Sequence, residues 1–173
     1  EDTDGGREST LIFKGEQSGG EISTLAEIEA SHDGTADDEK GDLIFRTNDG
    51  SDGSSPTERA RIDSAGNFML SKSDVDNATT AGLEIRSTGY TAVARDGADV
   101  LSLNRLTSDG SIMNFRKDGT TVGSIGTDTG DLHIHSSASG HAGLRFGNGR
   151  LQPTDNAGAT SDNTIDLGVS SSR

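Results

Sequence analysis

Turn-forming dipeptides punctuate the second half of this chain at intervals too short for helices to fit between them. Asp96-Gly97, Asp109-Gly110, Asp118-Gly119 and Thr129-Gly130 stand between segments in which apolar and polar residues mostly alternate. Asp-Gly in that setting is a hairpin signal, because both residues tolerate positive φ. Turns every ~9–13 residues imply an antiparallel meander of short strands. The predicted strands from Gly82 onwards are Leu83–Arg86, Thr91–Arg95, Val100–Arg105, Ser111–Arg116, Thr121–Ile125, Asp131–Ser136, Gly143–Phe146 and Thr164–Val169. Gly123-Ser124-Ile125-Gly126 and Gly147-Asn148-Gly149 lack the strand-to-helix context of a phosphate-binding loop and read as turns. With two prolines and no long amphipathic pattern, helix is expected to be minor.

The first half follows the same logic with longer interruptions. Ser9–Lys14 reads as a strand closed by Gly15. In Ile22–Ala30, Ile22, Leu25 and Ile28 recur every third residue, but Ala26, Ile28 and Ala30 alternate with Glu27 and Glu29, and Ile-Ser-Thr at the start favours β. His32–Lys40 is a charged loop and Asn48–Pro56 an irregular one, dense in turn formers. Leu43-Ile44-Phe45-Arg46 repeats Leu11-Ile12-Phe13-Lys14 after 32 residues, and Met113-Asn114-Phe115-Arg116 echoes both. One unit used several times explains the recurrence; coincidence among short apolar strands explains it equally well. The organisation expected is an N-terminal β segment over 1–78 and a C-terminal β-meander over 79–173.

The most ordered local pattern is Thr57–Lys72. Arg59 and Arg61 recur at every second position, as a strand with one solvated face requires. Asp63-Ser64-Ala65-Gly66-Asn67 supplies a turn, and Phe68-Met69-Leu70 resumes as an apolar strand. A lone hairpin of this size is marginal in water, so it must join a larger sheet or other chains.

Pro56-Thr57-Glu58-Arg59-Ala60-Arg61-Ile62-Asp63-Ser64-Ala65-Gly66-Asn67 resembles a segment that recurs in phage tail fibres and related trimeric appendages, upstream of a C-terminal intramolecular chaperone of the endosialidase type. Gly41–Gly50 is similar to the segment that precedes it in that family, and Asn163–Gly168 through Ser172-Arg173 to the run leading towards the chaperone. The family usually follows the turn with a glycine-rich strand, where this chain has Phe68-Met69-Leu70-Ser71. The chaperone itself is absent, which implies a fragment or the product left after its release. The resemblance implies a virion location in a tail fibre, a homotrimer, and contacts with other tail or fibre proteins and with a host receptor, a glycan among the candidates.

Composition independently demands help from outside the chain. Apolar residues make up 28% and aromatics 3%, against roughly 45–50% apolar, glycine included, in ordinary domains. Ordering each residue costs about 1–2 kcal/mol of backbone entropy, and few large side chains are present to offset it. Disorder is one outcome; burial of small apolar faces against copies of the same chain is the other, and the regular spacing of apolar triplets favours it. The formal charge of −14 argues against nucleic acid or an anionic membrane as partner. No apolar run reaches the length of a membrane span. Without cysteine there are no disulfides and no thiolate metal sites.

No nucleophile elbow, phosphate loop or aromatic sugar platform is present, so no catalytic or cofactor-binding residue is predicted. Asp2-x-Asp4-Gly5 hints at a calcium loop but lacks the remaining ligands and reads as a turn. The sharp signal is His133-Ile134-His135: in a strand both imidazoles share one face, and three chains in register would gather six of them around an axis. Imidazole suits iron, zinc, copper or nickel, and such His-x-His rows are known from the tips of some phage long fibres. The plainer reading is a solvated pair on an ordinary strand. His32 and His141 read as surface residues. The expectation is therefore an all-β, elongated homotrimeric fibre segment, intertwined or side by side, structural and not enzymatic. Receptor contact is placed in Asn48–Pro56 or Gly140–Pro153. The alternatives are a tailspike-type polysaccharide depolymerase fragment, which requires stacked parallel coils and a carboxylate groove, and an acidic bacterial surface-adhesin repeat, which requires recurrent Asp-x-Asp spacing.

Overall fold

The computed structural model describes residues 7–34 and 38–161. Every regular element among them is a β-strand. The chain divides into two compact units, Glu1–Leu101 and Ser102–Arg173. The division expected at 78/79 falls in a loop of the first unit, because the next two strands complete the same sheet. The tighter turn rhythm after Gly82 marks a change of loop length before it marks a change of sheet.

The first unit is a seven-stranded sheet of β1 (Ser9–Glu16), β2 (Ile22–His32), β3 (Gly41–Thr47), β4 (Thr57–Ile62), β5 (Phe68–Leu70), β6 (Gly82–Ile85) and β7 (Thr91–Ala94). Spatial order equals chain order, and every pairing is antiparallel. The strand reading of Ile22–Ala30 holds: β2 sits between the two matching triplets, with Ile28 paired to Leu11 on one side and to Phe45 on the other. Three turns share one geometry, Gln17–Glu21, Asp63–Asn67 and Arg86–Tyr90. In each, the first amide donates to the last carbonyl, and the fourth residue, a glycine, donates back to the first carbonyl. Gly20, Gly66 and Gly89 take φ of +83°, +80° and +87°, a region closed to most L-residues.

The second unit is a five-stranded antiparallel meander of β8 (Gly110–Lys117), β9 (Thr120–Asp128), β10 (Asp131–Ser136), β11 (Gly143–Gly147) and β12 (Arg150–Thr154). Its tight connections are two-residue hairpins at Asp118-Gly119, Thr129-Gly130 and Asn148-Gly149. All six residues have positive φ, between +49° and +81°, as the right-handed twist of the flanking strands requires. After β12, Asp155–Ala159 repeats the glycine turn of the first unit, and the Asp155 carboxylate accepts from the Ala157 and Ala159 amides just as Asp63 accepts from Ala65 and Asn67.

Two strand expectations fail. Val100–Arg105 forms no strand pairing among the described residues. Arg150–Thr154 is a strand inside the stretch Gly140–Pro153 that had been read as loop; its one proline is tolerated because β12 is an edge strand. The strand expected over Thr164–Val169, the chaperone-leading run Asn163–Arg173 and the Asp2-x-Asp4-Gly5 turn lie outside the described residues.

Candidate functional site

Each sheet sorts its side chains by register into one apolar and one polar face. In the first unit the rows Leu11–Ile28–Phe45–Ala60–Leu70–Leu83–Val93 and Ser9–Ala30–Leu43–Ile62–Phe68–Ile85–Thr91 share a face. None of these residues is charged. The opposite row is Thr10–Glu29–Ile44–Arg61–Met69–Glu84–Ala92. Burial runs opposite to the usual rule. Leu11, Phe13, Leu43, Ile62, Leu70, Ile85 and Val93 on the apolar face are 38–57% exposed, whereas Met69 is 1% and Glu84 0% exposed on the polar one.

The second unit repeats the arrangement. Met113–Ile125–Ile134–Leu144–Pro153 and, beside it, Thr127–Leu132–Phe146–Leu151 form an uncharged face. Its Leu132, Ile134, Phe146 and Leu151, with Phe115 on β8, are 45–53% exposed. On the other face Ser124, His133 and Thr154 are buried.

What covers the first polar face is a set of ion pairs roofed by loops. Arg61 donates to Glu58 through two nitrogens at 2.7 Å each and to Asp42 at 2.7 Å, and Arg46 pairs with Glu29 at 2.6 Å. Glu58 and Arg61 would normally point to opposite faces of a strand. A bulge leaves Arg59 unpaired opposite Phe45/Arg46, which restores them to one face. The single solvated face expected for Arg59 and Arg61 is therefore not what forms: Arg59 turns to Thr47 and Asp49, while Arg61 is half-buried in the network. Burial raises Asp42 above its ordinary carboxylate range, with Arg61 pulling the other way. Farther along, the Ser71–Ala81 loop brings Lys72 and Asp76 over Glu84: Lys72 donates to both carboxylates, to Glu84 at 2.7 Å, and Arg86 also donates to Glu84 at 2.7 Å. These bonds, foremost that from Lys72, hold Glu84 down to about 2.

The Pro56–Asn67 motif thereby acquires a local account. Thr57 hydroxyl donates to Asp52, Glu58 clamps Arg61, and Asp63 organises its own turn. The Asn67 amide group donates to Asp63, and its oxygen accepts from the Ser87 amide at 3.1 Å, tying one glycine turn to the next. Each polar position in the motif closes a hydrogen bond inside the sheet.

His133 and His135 do share a face, edge to face with ring centroids 4.9 Å apart. It is the covered one. His135 is bonded through Nε2 to the Ser124 hydroxyl at 2.9 Å. His133 is 5% exposed and has no hydrogen-bond partner at either ring nitrogen. Gly126 and Gly158 enclose it so closely that a Cβ on either would meet the ring at 2.8 and 2.7 Å. Burial, and secondarily the neighbouring His135, lower its pKa. A six-imidazole shell needs this face open to symmetry-related copies. Here the Asp155–Ala159 turn of the same chain packs on that face, with Gly158 against the His133 ring. Groups of three or more potential metal ligands are absent among the described residues.

His32 also departs from expectation: it is 5% exposed and bonded to Asp38 at 3.0 Å. His141 is exposed, as read. Of the two receptor loops, Asn48–Pro56 remains a loop, pinned through Asp49 and Asp52, while Gly140–Pro153 is mostly the β11–β12 hairpin. No protein-family model matches the chain, and no curated protein or solved structure does.

Proposed function

We propose that this chain is a structural segment of a phage tail fibre, a homotrimer whose copies pack their apolar sheet faces together. The observation that carries the reading is the pair of uncharged, half-exposed apolar faces in a chain that spends its own loops covering the polar sides. Closing the remaining exposure of a Leu, Ile or Phe yields about 1 kcal/mol or more per residue. A surface carrying −14 charges can approach a copy of itself only where it bears none, and these faces are such places. Their sheet construction suits a scaffold, and the lack of Trp and the single Tyr argue against a concentrated recognition patch. The antiparallel pairings among the described residues also suit this reading better than the stacked parallel coil of a depolymerase. In this proposal the protein resides in the virion, catalyses nothing, and leaves host contact to Asn48–Pro56 or to a neighbouring fibre domain.

The test is light scattering on the purified chain. The expected mass is about three times 17.9 kDa. A monomer with one cooperative melting transition would overturn the proposal.

A further inference from the structure

The stretch after β7 is read as a strand from its residues, yet it has no strand partner among the described residues. Val100 and Leu101 are 48% and 62% exposed, and Leu103 is 46% exposed. Across Val100–Asn104 no backbone hydrogen bond forms among the described residues. Unpaired strand backbone flanked by apolar side chains is an edge waiting for a ladder. The first sheet ends in a matching vacancy, since β7 is paired to β6 on one side only.

Among the described residues the chain does not fold back to fill that vacancy. A two-residue Asp-Gly hairpin needs positive φ at both residues, as Asp118-Gly119 has at +49° and +78°. At Asp96-Gly97 only the glycine adopts it, at +69°. Arg95 instead donates to the Asp99 carbonyl at 3.3 Å, and Arg105 donates to the Ser108 carbonyl at 2.7 Å. The segment is thus held at both ends with its middle presented outward.

We infer that Val100–Asn104 adds as a strand to the free edge of β7 in a second copy of this chain. The inference rests on the trimeric reading above and specifies where the copies interlock. Residues 95–99 can span about 17 Å, and packed sheets stand ~10 Å apart, so the connection reaches a neighbouring sheet. Both partners, Val-Leu-Ser-Leu-Asn and Thr-Ala-Val-Ala, are uncharged in a strongly acidic chain. Each copy offers one donor segment and one acceptor edge, so the exchange closes into a ring in which every β7 edge is filled.

Hydrogen exchange on the unaltered assembled protein is the first test, with light scattering on the same sample. Amides of 100–104 are expected to exchange at least about a hundredfold more slowly than in the unfolded chain. A trimer in which they exchange as if unfolded would overturn the exchange while leaving the trimer intact; a monomer would overturn both. The second test places Ala92→Cys together with Leu101→Cys, Ser102→Cys or Leu103→Cys, one pair at a time, under oxidation. Interchain crosslinks on a denaturing gel are expected for at least one pair. Crosslinks confined to single chains would show a hairpin within one copy and refute the proposal.

Discussion

The two units reach the same end, a covered polar face and an open apolar one, by different means. The first spends charge: on its strands Glu29 pairs with Arg46, and Asp42 and Glu58 pair with Arg61, while the Ser71–Ala81 loop carries Lys72 over the sheet to Glu84, which Arg86 also holds. The second spends almost none. Three of its four hairpins use two residues each, and its polar face is filled with glycine, serine, threonine and histidine, with one ion-pair group where Arg145 meets Asp128 at 2.8 Å and Asp131 at 2.9 Å. Glycine at 147 makes that group feasible, since a Cβ there would collide with the Asp131 carboxylate. Charge needs partners brought to it, whereas small polar groups need only clearance.

The largest expected effect tests what the units share. Leu43→Glu in the first or Ile134→Glu in the second puts a charge on an open apolar face. Association should weaken roughly a thousandfold, from about 4 kcal/mol of unpaired charge burial, with strand content by circular dichroism unchanged. A variant that stays fully associated would show that its face is not an interface.

Next comes the interior of the first unit. Met69→Ala should cost about 2–5 kcal/mol of that unit's stability in denaturant titration, since Met69 is 1% exposed. The matched triplets refine the point: Ile44→Val should cost about 0.5–1.5 kcal/mol and Ile12→Val less than about 0.5. Ile44 is 3% and Ile12 46% exposed at equivalent places in Leu-Ile-Phe.

Acid should separate the units. Glu84 is depressed from 4.5 to about 2, so its stabilisation is complete above pH 4.5 and is lost as pH falls towards 2. Asp42, raised by burial, opposes this in part. His133 is held neutral, so the second unit's stability is complete above pH 6.5 and declines as pH drops below it. Hydrogen exchange read separately over β8–β12 and β1–β7 should show the second unit loosening first. His133→Gln should abolish the drop that begins near pH 6.5. The smallest effect is at a turn: Gly119→Ala, at φ +78°, should cost about 1 kcal/mol by thermal melting.

Much of the strand order was legible in the residues, because alternation and glycine-bearing turns are local signals. The faces were also legible, since Leu132 and Ile134 against His133 and His135 follow from period two alone. Which face would be covered was not. That depends on Asp155–Ala159 returning over β10 and on Lys72 reaching Glu84, contacts made by loops whose composition states only that they are loops. For the same reason His32 and Arg61 were misread as solvated. Strand β12 escaped notice because Arg-Leu-Gln-Pro-Thr has weak alternation and a proline, and only its edge position makes it viable.

Within each sheet every pairing joins strands that are consecutive in the chain. A hairpin can therefore be inserted or deleted without rewiring any other pairing. Each added strand would widen its sheet by ~4.8 Å, and a glycine turn such as Asp63–Asn67 or Asp155–Ala159 is a ready joint for the insertion. Such a sheet works as an adjustable ruler, its reach set by counting repeats and not by redesigning a core.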